Sequence, residues 1–372
     1  MSVRSVQPTD LLQYVLVSDA QLSPDANTIL FARKHINGKK QYVTQLWTTD
    51  AAGRVQQLTR SEASCSHGRW LPDGSGILFI SQRTKPASQI YRLPVSGGEA
   101  YAVTEFPEGS LAEFKISPDG EHVAVLFRET HPDWTDAAKK AREAAEASTL
   151  PIEIDDIWYR LDGDGYFAGQ RYALIVLKLE GESLATEVMR YAAAPDGNYS
   201  FSWHPSGDSL IVAHTANAFP MREKPNDQLY RVSLSGEATM LPGLPKGEKS
   251  APSVSPDGQW VAYAGDVDED DPWGTRNTKA YLVSIHGGEP RDLTGHQDFD
   301  LSVATLSDAG EPSYSAKLMW AADGSGLYTQ VGTFGQSQIG FVSVNGGVTL
   351  LTEGHHTINW APSPKTDRSP ER

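Results

Sequence analysis

Residues 284–294 read SIHGGEPRDLT, and the whole architecture follows from what this stretch is. Taken alone, His286-Gly287-Gly288 has the make-up of a glycine-rich oxyanion loop. Two other stretches share its pattern: VSGGEAYAVT (95–104) aligns without a gap, and VNGGVTLLT (344–352) with one residue missing. DAAGRVQQLT (50–59) keeps the final glycine. The place of His286 is taken by Ser96 and Asn345 in these copies. A side chain replaced so freely among copies does no required chemistry. The glycines recur because a hairpin turn needs them.

A second motif recurs with the first. Ser23-Pro24-Asp25-Ala26, Leu71-Pro72-Asp73-Gly74, Ser117-Pro118-Asp119-Gly120, His204-Pro205-Ser206-Gly207, Ser255-Pro256-Asp257-Gly258 and Ala321-Ala322-Asp323-Gly324 are variants of one tetrad. Proline pre-sets φ, aspartate hydrogen-bonds its own backbone, and glycine accepts positive φ, so each tetrad is a tight turn. Each is followed by a short apolar run such as GILFI, HVAVLF or SLIVA. These runs are β-branched and too short for helices, which implies strands covered on both faces.

Each unit therefore holds four antiparallel strands, and units of about 45 residues built this way are β-propeller blades. Complete units fall at 14–60, 66–104, 111–191, 199–242, 251–294 and 314–352. HHTINWAPSPKTD (355–367) places Trp360 and Pro364 like the strand and turn that open other units. The expectation is an all-β propeller of seven-bladed type over 1–363, with six complete blades and the first strand of a seventh. Residues 364–372 are expected to be a disordered tail.

The third unit is long because residues 129–169 are inserted. DWTDAAKKAREAAEAS (133–148) is alanine-rich, carries Lys139–Glu143 and Arg142–Glu146 at helical spacing, and can be capped by Thr135 or Asp136. A mostly exposed helix is expected there, followed by an extended segment and a glycine-rich turn.

The chain carries a formal net charge of −15, which opposes binding to nucleic acid or anionic membranes. No apolar run approaches a membrane span, and the N-terminus has no signal-peptide pattern, so the cytoplasm is expected. Cys65, the single cysteine, cannot form an internal disulfide. No cofactor or metal is expected. There is no phosphate-cradling loop. The glycines and acidic residues of DGDGYFAGQRYA (162–173) fall in the wrong places for an EF-hand, and DVDEDD (266–271) reads as a solvated acidic loop. His355 and His356 are adjacent on an expected strand, so they point to opposite faces and cannot chelate together.

The chain resembles the N-terminal propeller of the prolyl oligopeptidase family of serine peptidases, in particular its acylaminoacyl-peptidase and dipeptidyl-peptidase-like members. The resemblance rests on DLLQYVLVSDAQLSPDANTILFARK (10–34), on the rhythm of the two turns, and on WYRLDGDGYFAG (158–169) after the helical insertion. It implies a propeller that gates and selects peptides for a C-terminal α/β-hydrolase domain bearing a Gly-x-Ser-x-Gly nucleophile. That domain is not among the 372 residues, and Gly335-Gln336-Ser337-Gln338-Ile339 departs from the elbow at its fifth position. No catalytic residue can be assigned, so the chain by itself is expected to hydrolyse no peptide. The resemblance places Arg160, Asp162 and Tyr166 near the substrate path, with Arg160 able to meet a substrate carboxylate. The plainer reading makes Asp162–Gly165 a turn that Arg160 braces. Glu153, Asp155 and Asp156 resemble only loosely the acidic residues that hold a peptide amino terminus. The expected partners are peptide substrates reached through the hydrolase domain, with self-association through an exposed sheet edge. The alternative is a free-standing, protein-binding propeller of TolB or WD-repeat type. A missing export signal opposes the first, and missing Gly-His and Trp-Asp signatures oppose the second.

Overall fold

The computed structural model describes residues 4–154, 157, 159–161, 164–267, 276–303 and 315–358. Their strands form six four-stranded sheets in chain order, plus a two-stranded hairpin. The contacts divide the chain into two compact units. Of the described residues, the first unit holds 4–104 and the second the remainder. Blades one and two (Val15–Gln57 and Cys65–Ala102) lie in the first. Blades three to six (Gly109–Tyr191, Ser200–Met240, Lys249–Asp292 and Met319–Leu350) lie in the second.

Both turn motifs do what their residues dictate. Ser117 Oγ donates to the Asp119 carboxylate and accepts from His122 N at 2.9 Å. Ser255 repeats this with Asp257 and Trp260 N, and Ser23 with Asp25 and Thr28 N. The fourth residue of every tetrad has positive φ, including Ala26 at +60°, the one copy without glycine. Gly287 and Gly288 sit at +85° and +113°, and His286 is exposed. The opening stretch is a hairpin turn.

Both-sided burial of the second strands is also found. Every residue of Gly76–Ser81 and of Ser209–Thr215 is buried. Within the first unit, Leu30 and Leu46 of blade one pack on Ile77 and Phe79 of blade two. In the second, separate clusters join blades three and four, four and five, and five and six.

The expected seven-bladed ring is corrected. The described residues form six four-stranded sheets and no seventh. His355–Ile358 is not a strand; polar side chains of blade six bind it instead. Ser337 N donates to His356 O at 3.1 Å, and Gln330 Nε2 to Ile358 O at 2.6 Å. Ile358 N donates to Ser337 Oγ at 2.7 Å. The segment is thus an appendage of blade six. Trp360, Pro364 and the expected tail lie outside the described residues. The insertion in blade three is also less helical than expected: one nine-residue helix, α1 (Asp136–Ala144), follows a single 3-10 turn, Pro132–Trp134. Thr135 caps α1 by accepting from Ala138 N, and no residue of α1 is buried.

One interaction recurs that the motif search passed over. Thr104 Oγ1 donates to Gln89 Oε1 at 2.8 Å and accepts from Ile90 N at 2.9 Å. Thr59 does the same with Gln45 and Leu46 N, and Thr352 with Gln338 and Ile339 N. This clasp joins the start of the third strand to the end of the fourth, which explains why the units end in Leu-Thr or Val-Thr. Thr104 and Gln89 are both buried. Thr104→Val strands two polar groups and is expected to cost about 1–2 kcal/mol in chemical denaturation, while Thr104→Ser retains most of the stability.

Candidate functional site

In each blade the tetrad turn and the Gly-Gly turn lie at one end of the sheet. The loop between strands two and three lies at the other, where the chain also crosses to the next blade. Hydrogen bonds within the second unit bring these loops and crossovers together. Gly247 N donates to Pro225 O at 2.9 Å, and Asp300 and Gly332 exchange two bonds. The Glu108 carboxylate accepts from Asp136 N at 3.0 and 3.1 Å, holding the start of α1. One edge of the four-blade unit therefore carries the crossovers and the longer connections of blades three to five, with a two-residue turn in blade six, and the opposite edge carries tight turns.

The loop edge carries exposed apolar side chains. Blade three contributes Ile152, Ile154, Ile157, Tyr159 and Leu161, and blade four Phe219 and Met221. Val267 and Phe334 come from blades five and six. Of the other large apolar residues exposed in this unit, Leu184, Val188, Met240 and Leu351 lie on or beside outermost strands, and Trp260 lies at the turn edge.

Arg128 anchors the blade-three insertion. It follows the apolar run Val123–Phe127 of the second strand and is 7% exposed. Its guanidinium donates to both oxygens of Asp164 at 2.6 and 2.7 Å. It also lies 4.6 and 4.7 Å from the ring centroids of Phe167 and Tyr172. A desolvated cation held by a carboxylate and two aromatic faces is well satisfied. Trp134 meets Tyr166 edge-on at 5.2 Å, and Arg142 donates to Asp133 O at 2.7 Å. The hairpin Arg160–Tyr166 is thereby fastened to both strand and helix.

The expected site residues are placed as follows. Arg160 is exposed, pairs through its backbone with Tyr166, and makes no side-chain hydrogen bond or ion pair among the described residues. The described carboxylate of the turn, Asp164, is held by Arg128. Tyr166 is half-buried and donates to Glu153 O at 3.0 Å, so its hydroxyl is engaged within the insertion. Asp162, Asp155 and Asp156 lie outside the described residues, as does most of 266–271. Ser337 is fully buried and its Oγ accepts from Ile358 N, which is not a nucleophile elbow. Cys65 is buried too. His355 Nδ1 meets Gln336 and His356 Nε2 meets Gln338, so the two histidines serve different partners. Among the described residues, Asp119, Glu121 and His122 form an Asp/Glu/His group close enough to share a cation. It sits at the turn edge, where Asp119 already accepts from Ser117 and from Glu121 N.

Sequence reasoning missed a buried charge beneath the loop edge. Lys249 is 3% exposed, and its Nζ donates to Pro245 O at 2.6 Å and Gly247 O at 3.3 Å. Its backbone N donates to Asp227 Oδ2 at 3.2 Å. Desolvation pushes Asp227 up to about 6 and Lys249 down to about 8. Nearby, His214 stacks on Tyr230 at 4.1 Å, donates from Nδ1 to Thr215 O and accepts at Nε2 from Tyr191. Burial holds His214 below its ordinary range, matching a neutral ring.

The six blades make the fold a β-propeller, and the loop edge of its four-blade unit carries exposed apolar side chains. No family model matches the sequence. The uncharacterized peptidase YuxL of Bacillus subtilis is 27% identical over 353 residues, covering 94% of this chain and 52% of that protein. Dipeptidyl-peptidase 5 of Porphyromonas gingivalis is 22% identical, covering 91% of this chain and 48% of its own length. Among solved structures, the acylaminoacyl peptidase of Pyrococcus horikoshii aligns with 92% of this chain and 47% of its own, at 18% identity and a TM-score of 0.67. The resemblance read from the sequence stands: along nearly its whole length the chain is similar to the propeller portion of prolyl oligopeptidase-type peptidases. It spans about half the length of the curated relatives it matches. No helix among the described residues is long and apolar enough to cross a membrane.

The buried pair gives a pH test. The raised Asp227 contributes stability that is complete below its ordinary 3.8 and lost as pH rises through about 6. The lowered Lys249 contributes stability present above 10.5 and lost as pH falls through about 8. Both charges are therefore costly between pH 6 and 8. Asp227→Asn, compared with the parent in urea, is expected to gain about 1–2 kcal/mol on going from pH 4.5 to 7.5. A difference that is flat with pH contradicts the assignment.

Proposed function

We propose that this chain is the gating propeller of a serine peptidase, with the loop edge of its four-blade unit lying against an α/β-hydrolase domain. In this role it admits short peptides and excludes folded proteins. The observation that carries the reading is the concentration of exposed apolar side chains on that edge. A soluble surface seldom leaves so much large apolar surface open on one face unless something covers it. The peptidase relatives are about twice as long, which leaves room in them for a second domain. Arg160 stands among the exposed apolar residues without a charged partner among the described residues, and in this reading it takes a peptide carboxylate.

The test joins this chain to the α/β-hydrolase domain of a peptidase relative. Peptide cleavage is expected with the joined protein and none with the propeller alone. Arg160→Ala is expected to lower kcat/KM for peptides ten- to a hundredfold, the loss of about 1.5–3 kcal/mol from a charge-assisted bond. Its fold should be unaffected, because the side chain is exposed. Unchanged kinetics with Arg160→Ala, or equal access for folded proteins, overturns the reading. By itself the chain is expected to self-associate through the bare edge, as light scattering at rising concentration would record.

A further inference from the structure

Blade six ends its second strand and begins its third with Thr333 and Gln336 paired, leaving Phe334 and Gly335 as a two-residue turn. Phe334 has φ +47° and Gly335 +75°. Such turns favour asparagine, aspartate or glycine at the first place, because a bulky side chain is strained at positive φ. Phe334 is nevertheless an aromatic residue, and it is 94% exposed. Both its conformation and its hydration are unfavourable, and neither serves the fold.

Beside this ring lies an open depression of about 270 Å³, lined by Asn277, Asp298, Asp300, Val303, Thr333 and Phe334, among others. It is smaller than the roughly 300–1,000 Å³ of sites that enclose a whole drug-sized ligand, so it suits a single side chain or head group. Asp298 Oδ1 accepts from Asn277 Nδ2 at 2.7 Å, and Asp300 Oδ1 accepts from Thr278 N and Ser302 N at 3.1 and 2.9 Å. The second oxygen of each carboxylate has no hydrogen-bond partner, and no lysine or arginine pairs with either, among the described residues. The nearby Lys279 is already used by Asp292 and Gly295 O.

Two carboxylates that meet no cation among the described residues, a small hollow and an exposed aromatic face have one common complement: a cation on an apolar stem. We propose that this depression is a binding site for a basic side chain, the ammonium of lysine or the guanidinium of arginine, in a peptide lying along the loop edge. The cation meets Asp298 and Asp300, and the methylene stem and the charge lie against Phe334. The site belongs to this chain alone and needs no hydrolase domain. The two share Phe334, but the docking reading rests also on the exposed residues of blades three to five, and probe binding is read on this chain alone, so the two failures are told apart.

The test uses the full chain and Nα-acetyl-lysine N-methylamide as probe, followed by ligand-observed NMR titration. Its norleucine analogue, which keeps the stem and lacks the charge, is expected to bind at least about tenfold more weakly, as are the Asp298→Asn and Phe334→Asn variants toward the lysine probe. Phe334→Asn is also expected to raise the unfolding temperature, because asparagine suits the turn. Asp323→Asn, at the turn edge of the same blade, should bind like the parent. No saturable binding of the lysine probe overturns the proposal. So does equal weakening by Asp323→Asn, which would mark a diffuse attraction to an acidic protein, or full binding by Phe334→Asn.

Discussion

The glutamine–threonine clasp is the constraint on which the rest depends. It sits where the third strand begins and the fourth ends, at the end of the sheet from which the loops emerge. There it satisfies a backbone N–H and a buried amide oxygen together, groups that are costly to leave unpaired. With that corner closed from inside the blade, the adjoining loops carry no duty to the sheet and are free to vary. Blade three has no such clasp; its insertion of some forty residues is secured instead by Arg128 from near a strand end.

Where the clasp is absent, a substitute charge or crossover takes over. Blade four has Pro242 in place of threonine, and Gln228 turns instead to Asn226 and to Pro245 O. Blade five keeps Thr294 but has Lys279 for glutamine, and Asp292 binds both. Between these two departures lies the buried Asp227–Lys249 pair. A buried pair that burial shifts toward neutrality thus lies beside the loop edge, where the regular repeat is interrupted.

Much of the fold was legible because the turns are local. Ser-Pro-Asp-Gly and Gly-Gly carry their geometry in a few consecutive residues, and the blade boundaries follow from them within a few positions. The seventh blade was misjudged for the same reason. Trp360 and Pro364 resemble a blade opening locally, but Gln330, Ser337 and Gln338 of blade six bind the preceding segment, and no local pattern reveals that. The site was less legible. Arg160 and Tyr166 were singled out only through the segment that resembles a known family. Arg128 was visible only as a charge closing the apolar run HVAVLF, a signal that becomes useful once Asp164, thirty-six residues away, is known to meet it. Phe334 was hidden because nothing in the sequence shows that an aromatic residue occupies a left-handed turn.

The central claim is that the loop edge, and not the turn edge, is the face that meets a partner domain. A photoreactive amino acid placed at Phe219 or Ile157 on one edge, and at Trp260 on the other, tests it directly in the chain mixed with an α/β-hydrolase domain of a peptidase relative. Capture of the hydrolase from positions 219 and 157, with none from 260, is the predicted result. Capture from 260 alone would contradict the account.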